Sequence, residues 1–297
     1  MRITFDPVRD GVDALNAAAN DFADAQRQVS TGKRIGVPSD DPVAAQRAVS
    51  DHAEVATLDA YTRSADSAHS RLAALDSVLG DMIDKLTQGM TAAASAQGSN
   101  VTQATRDSAA STLSGVRDSL VADINSTYNG SYTFGGSTSN VQPYQRDPMT
   151  GAWTYYGDST AVTVDINRGR SITVTTDGQQ ILKGSDTSDV LSAIDQLITD
   201  INGSNPAGIT AGIDALKRAF DRANLAQSRV GIDEQSVTDG TQRLATLRNA
   251  ATAKLSSDED ANLAEAVTKM NQAETTYKAA LGAVGTSSRI SLMDYLT

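Results

Sequence analysis

The chain has 297 residues, a formal net charge of −11, no cysteine and only 4% aromatic residues. An acidic chain with a pI near 4.6 lacks the basic face that nucleic acid or anionic lipid requires, and the missing cysteines remove disulfides, thiolate catalysis and Cys-based zinc sites. With so little aromatic bulk, the 39% of hydrophobic residues must fill interiors as Ala, Leu and Val, a composition suited to closely packed helices.

Met1 to Pro7 contains no apolar h-region, so no secretory signal peptide is expected there. No stretch approaches the roughly 18 apolar residues that span a bilayer. The first predicted helix covers about Val8 to Val29. Leu15, Ala18, Phe22, Ala25 and Val29 recur in steps of three and four, a coiled-coil seam. Gly32 stands where a helix C′ residue is expected. A polar loop, Lys33 to Asp40, leads to Asp41 as N-cap and Pro42 as first helical residue of the next segment. That segment repeats every seven residues: Leu58, Ala65, Leu72, Leu79, Leu86 and Ala93, with Tyr61, Ala68, Leu75 and Met82 three residues after the first four. A strict seven-residue period predicts a long helix in a left-handed supercoil, ended by Gly98-Ser99-Asn100. A third helix is predicted from Thr102 to Tyr128, with Ala109, Leu113, Val116, Leu120 and Ile124 inward.

At Asn129-Gly130 the period changes to two. Tyr132 and Phe134, Trp153 and Tyr155, Val162, Val164 and Ile166, and Ile172 and Val174 alternate with polar residues between turn signals. Residues 130–184 are therefore predicted to form a small antiparallel β domain. Helix returns near Ser188 with Val190, Ile194, Leu197 and Ile201 on one face, and breaks at Gly203 to Pro206. Leu216, Ala223, Val230, Val237, Leu244 and Ala251 again recur every seven residues. Ser257 is the expected cap of a last helix, with Asp258, Glu259 and Asp260 in its first turn. Leu263, Met270, Tyr277 and Val284 form its seam, with Val267 and Leu281 beside them.

The predicted class is mainly α: a rod of long heptad helices whose N- and C-terminal helices pair, with a small antiparallel β domain inserted mid-chain. Three parts follow: a terminal coiled-coil domain at 1–35 and 256–297, a helical rod at 36–129 and 185–255, and an outer β-rich domain at 130–184. Residues 1–35 are neutral overall and 256–297 carry −3, leaving −8 on the middle. Weakly charged ends are easily buried against other chains, and the acidic middle suits a solvated surface. Helices with short, Ala-rich seams draw their stability from packing, so the ends are expected to order fully against neighbouring subunits. The assembly interface is assigned to Leu15, Phe22, Val29, Leu263, Met270, Tyr277, Leu281 and Val284.

Few residues suggest chemistry. His52 and His69 are the only histidines, seventeen residues apart on one helix, and are read as surface positions. Ser30-Thr31-Gly32-Lys33 lacks both the earlier Gly and the following Ser or Thr of a phosphate loop, so it is read as a helix C-terminus. Asp258, Glu259 and Asp260 lack the alternating spacing of a calcium loop. Asp40 and Asp41 are read as capping residues. No catalytic, cofactor or metal site is expected, and the chain is read as non-enzymatic.

Residues 28–45, Gln-Val-Ser-Thr-Gly-Lys-Arg-Ile-Gly-Val-Pro-Ser-Asp-Asp-Pro-Val-Ala-Ala, resemble the N-terminal signature of the flagellin family. Met270 to Glu274, Tyr277 to Leu281 and the closing Leu292-Met293-Asp294-Tyr295-Leu296 resemble its C-terminus. The turn containing Pro38, Asp40, Asp41 and Pro42, together with Asn129 to Gly136 and Pro143-Tyr144, is similar to the flagellin-like subfamily at the hook–filament junction; Tyr144 departs from the Phe frequent there. The resemblance implies export through the flagellar type III apparatus and a place in the bacterial flagellum at the hook–filament junction. The implied partners are further copies in a helical ring, a hook-side junction protein, flagellin and a cytosolic export chaperone, with no nucleic acid and no membrane. Within the family, the alternative is a filament flagellin with a reduced outer domain.

Overall fold

The computed structural model describes residues 7–98 and 100–296; Met1 to Asp6, Thr297, and Ser99 in the expected helix break lie outside the described residues. The elements run α1 (Pro7–Thr31), α2 (Pro42–Ser95), α3 (Gln103–Ile124), β1 (Thr127–Tyr128), β2 (Ser131–Tyr132), β3 (Tyr144–Arg146), β4 (Trp153–Tyr155), β5 (Thr163–Asn167), β6 (Arg170–Thr173), α4 (Gly178–Leu182), α5 (Val190–Asn202), α6 (Pro206–Glu259) and α7 (Leu263–Leu296). The chain is mainly α, with paired terminal helices and small antiparallel sheets mid-chain. It forms two compact units. The terminal unit takes the residues up to Thr57 and those from Leu247 on; the central unit is Leu58–Thr246.

In the central unit the seven-residue period becomes a buried seam. Leu72, Leu79 and Leu86, with Leu75 and Met82, are sealed from solvent on α2. Leu113, Leu120 and Ile124 of α3, Ile194 and Ile201 of α5, and Leu216 and Ala223 of α6 are equally buried. Each buried Leu, Ile or Met side chain contributes about 1.5–3 kcal/mol by leaving water, and Ala223 less. Where the helices converge they need small residues. A Cβ on Gly89 would stand 3.4 Å from Val116 and 3.6 Å from both Leu113 and Leu216. One on Gly212 would approach the Leu197 side chain to 2.8 Å, so α6 crosses α5 there only because that position is glycine.

The third helix stops at Ile124, four residues before the expected Tyr128. The Asn125 side chain takes over: its Nδ2 donates to the Tyr144 carbonyl at 2.9 Å and its Oδ1 accepts from the Tyr144 N–H at 2.8 Å. Asn129 and Gly130, both at positive φ, then turn β1 back onto β2. The β region holds three separate two-stranded antiparallel pairs, β1–β2, β3–β4 and β5–β6. The predicted β domain also contains a short helix, α4, where Asp177 caps a helical turn by accepting from Gln179 N at 2.8 Å. Phe134 and Tyr144 are its buried anchors; Tyr144 packs 5.2 Å from Tyr155, whose hydroxyl donates to the Phe134 carbonyl. Burial pushes both tyrosine hydroxyls well above their ordinary value.

Candidate assembly surface

In the terminal unit, α1 lies antiparallel along α7. Phe22 stacks on Tyr277 with ring centroids 6.1 Å apart and planes within 5°, and the Gly11 Cα faces Val284 closely enough that a Cβ would touch its methyl at 3.4 Å. Three of the eight assigned interface residues thus lie where α1 meets α7, namely Phe22, Tyr277 and Val284, and Met270 is half-buried on α7. Leu15 and Val29 are also half-buried on α1. Leu263 and Leu281 are not covered, being 56% and 45% exposed. They sit with Val267, 37% exposed, along one stripe of α7 next to the α1-facing seam, while Val12 is exposed on α1. Two helices cannot cover each other's whole apolar face, so α7 presents an apolar stripe that α1 leaves open.

The two ends are joined by a clasp. Gly32, at φ 67°, closes α1 by donating its N–H to the Gln28 carbonyl at 3.0 Å. The following residues pair with the α6–α7 turn as a short antiparallel bridge: Arg34 N donates to Glu259 O at 2.7 Å and Ala261 N to Gly32 O at 2.9 Å. Side chains reinforce it. Lys33 Nζ lies 2.6 Å from Glu259 Oε1, and His52 Nε2 lies 3.0 Å from Glu259 Oε2. Arg34 Nη2 donates to the Asp258 carbonyl at 2.7 Å, and Arg47 pairs with the Asp258 carboxylate at 3.1 Å. The Lys33 ammonium, then His52, hold the Glu259 carboxyl below its usual range against a raising effect of burial. One turn away, Lys254 Nζ reaches the buried Asp51 at 2.5 Å, and this contact raises the Lys254 pKa.

These contacts correct the sequence reading of the last helix. Ser257 does not cap it. Residues 257–259 continue α6, and Asn262 does the capping: its Oδ1 accepts from Ala264 N at 3.1 Å and Glu265 N at 3.5 Å. Asp258 and Glu259 are drawn to Lys33, Arg47 and His52, partners more than 200 residues away, instead of a helix N-terminus. A signal for part of this existed. Stepping the two heptad series one repeat further gives Asp51 on α2 and Asp258 on α6, charges placed on a seam. The clasp residues Lys33, Arg34, Arg47, His52, Lys254, Asp258 and Glu259 were otherwise beyond local pattern.

The loop containing Pro38, Asp40, Asp41 and Pro42 is built by its two acids. Asp40 Oδ2 accepts from Gly36 N at 2.9 Å and Val37 N at 3.0 Å, and these backbone donors depress its pKa. Asp41 Oδ1 caps α2 by accepting from Ala44 N at 3.0 Å, which depresses its pKa in turn; Pro42 is the first helical residue. Pro38, Ser39 and Val37 face solvent. Among the described residues, no group of three or more His, Cys, Asp or Glu side chains is arranged to hold a metal ion, and no helix is long and apolar enough to cross a membrane.

Residues 12–139 match the family described as the bacterial flagellin N-terminal helical region. The chain is flagellin-like. It is 31% identical over 195 residues to flagellar hook-associated protein 3 of Salmonella typhimurium strain LT2, an alignment covering 60% of either chain. This flagellin-like chain therefore spans about three-fifths of the length of that relative. Its fold is shared with a flagellar hook-associated protein from Vibrio parahaemolyticus (TM-score 0.69, 18% identity, 74% of this chain and 100% of the other). It is also shared with a flagellar junction protein from Legionella pneumophila (TM-score 0.59, 12% identity, 72% of this chain and 99% of the other).

Proposed function

We propose that the chain is a structural subunit of the bacterial flagellum that works as an adaptor at the hook–filament junction. The observation that carries this reading is the stripe of Leu263, Val267 and Leu281 left open beside the α1–α7 pair. A neighbouring subunit with the same paired helices offers the matching apolar face, so copies continue one lattice. The likeness to hook-associated protein 3 and to a flagellar junction protein supports placing that lattice between hook and filament. The partners are then copies of the chain in a helical ring, a hook-side junction protein on one side and flagellin on the other, with a cytosolic chaperone covering the C-terminal helix before export. Pro38 to Pro42, exposed and rigidly turned, sits in the terminal unit as a surface that selects the neighbour. The role is structural rather than catalytic: the displaced carboxylate pKa values of the terminal unit come from backbone donors in turns and caps and from ion pairs within the chain.

A filament flagellin with a reduced outer domain is the second reading, favoured by the flagellin match over residues 12–139. Immunogold labelling separates the two. The adaptor gives one cluster of label where hook meets filament; label along the whole filament overturns the adaptor reading. Chains lacking 1–35 or 256–297 are expected to stay soluble and mostly helical while failing to sediment with flagellin, and co-sedimentation of either truncation contradicts the assembly role of the terminal unit.

A further inference from the structure

The central unit contains a groove of about 440 Å³ between α6, α2 and the β6–α4 segment, lined by Leu72, Leu75, Ile181 and Val230. Leu225 and Ile232 stand at its edge, 54% and 67% exposed and one heptad apart on α6. The groove wall also carries Asp233, a half-buried carboxylate with no ion pair among the described residues; burial alone pushes its pKa up. The other charged groups at the groove are differently placed. Arg222 is committed to Asp186 at 2.9 Å and to the carbonyls of Ile181 and Leu182. Asp177 is committed to capping α4. Arg229 lines the groove one turn before Asp233 and forms no ion pair with it among the described residues. An uncompensated carboxylate beside exposed aliphatic side chains is completed by a group with an apolar stem and a cationic head, as in lysine or arginine, and arginine adds a paired-donor geometry suited to a carboxylate.

The chain presents such a group elsewhere on the same unit. The β5–β6 turn carries Arg168 and Arg170 on either side of Gly169; all three are exposed, and neither guanidinium has an ion pair among the described residues. We infer that the β5–β6 tip of one copy docks in the α6 groove of a second copy, an arginine of the tip meeting Asp233 while its stem covers Leu225 and Ile232. Such a contact joins two different patches of the same molecule, so it is head-to-tail and propagates into a ring or a helix. The inference rests on the reading of the chain as a self-associating subunit, to which it adds a second, charge-guided contact made by the central unit.

The absence of cysteine makes the test clean. Full-length Ile232→Cys and Arg168→Cys chains, the latter keeping Arg170, are mixed in equal amounts at a concentration where the protein sediments as an assembly. They are then oxidised and run without reductant. A Leu281→Cys sample tests the terminal contact in parallel. The expected result is a dimer of the two different variants, reduced about tenfold when Asp233→Lys is added to the Ile232→Cys chain, as for loss of a buried charge pair; helix content of that variant, read by circular dichroism, stays unchanged. Cross-linking of Leu281→Cys without the mixed dimer overturns the groove contact and leaves the terminal one standing. A mixed dimer indifferent to Asp233→Lys overturns the arginine–carboxylate pairing, as does preferential cross-linking of Ile232→Cys to Met149→Cys, the 94% exposed tip of the β3–β4 turn. Absence of every cross-link overturns both the inference and the self-association on which it rests.

Discussion

The two units bury different kinds of residue. In the central unit the buried set combines Ala and Val with many Leu and Ile and with Met82, Phe134 and Tyr144; in the terminal unit it is Ala18, Ala25, Ala44, Ala48, Ala251 and Ala266, with Ile35 the one larger apolar side chain among the described residues. The larger apolar residues of the terminal unit are instead displayed, Val12, Val43, Val49, Leu263 and Leu281 among them. Burial of an alanine methyl contributes far less than burial of a leucine, so the terminal unit depends on something besides its own core. Part of that is the ionic clasp at Glu259. On the proposed reading, the remainder comes from a neighbouring copy. The difference teaches how one pattern, the seven-residue repeat, serves two ends: with Leu on the seam it makes an independent core, and with Ala and Asp on the seam it makes a half that waits for its complement.

The contrast can be attacked from either side. The largest effect belongs to the central core: Leu79→Ala, at a sealed position, is expected to cost about 2–5 kcal/mol in chemical denaturation. Leu15→Ala, half-exposed on α1, is expected to cost less than about 1 kcal/mol in the free chain; equal costs would erase the distinction between the units. Glu259→Gln comes next. It removes the charge that Lys33 and His52 share, and the amides of residues 32–34 and 259–261 are expected to lose about 1–2 kcal/mol of protection by hydrogen exchange, with α3 and α5 unaffected. Glu259 has its folded pKa depressed, so its contribution is present above the unfolded value and is lost as pH falls through the folded one; the clasp therefore loosens in acid and the Gln variant does not.

The last effect has the opposite sign and lies in the central unit. Asp123 is pushed up to about 6 by burial, and secondarily by the Asp81 carboxylate, with Lys85 opposing. Its Oδ2 is buried without a hydrogen-bond partner. A raised carboxyl pKa means the folded state holds the proton more tightly than the unfolded chain, so the penalty is complete above about pH 6, shrinks as pH falls and is gone below the ordinary value of 3.8. Asp123→Asn is expected to raise stability by about 1 kcal/mol at pH 7.5, by roughly half as much at pH 5 and by little at pH 3.5, read as the change in urea midpoint at each pH. A variant that destabilises equally at all three would show that the carboxylate is satisfied in the fold.

Much of this was legible in the residues themselves. The seam from Leu58 to Ala93 and the seam from Leu216 to Ala251 predict the long helices because a seven-residue period has one structural meaning over that length. Asp41 and Pro42 predict the start of α2 because both act within one turn. The flagellin-like N-terminal region was recognisable from Ser30 to Ile35. The clasp was not, because nothing local ties Lys33 to Glu259 across 226 residues. Three acids after Ser257 carry the composition of a helix start, and only their tertiary partners turn that stretch into a helix end. The end of α3 was misplaced for a similar reason: Asn125 leaves the helix to hold Tyr144, a bond made by folding and not by the neighbouring sequence.

The central claim is that the terminal unit is completed by neighbouring copies, and hydrogen exchange of α1 and α7 in the free chain and in the assembly tests it most directly. The account predicts that both helices exchange rapidly in the free chain and become strongly protected on assembly, while Leu72 to Leu86 of α2 are protected in both. Equal, strong protection of α1 and α7 in the free chain would contradict it.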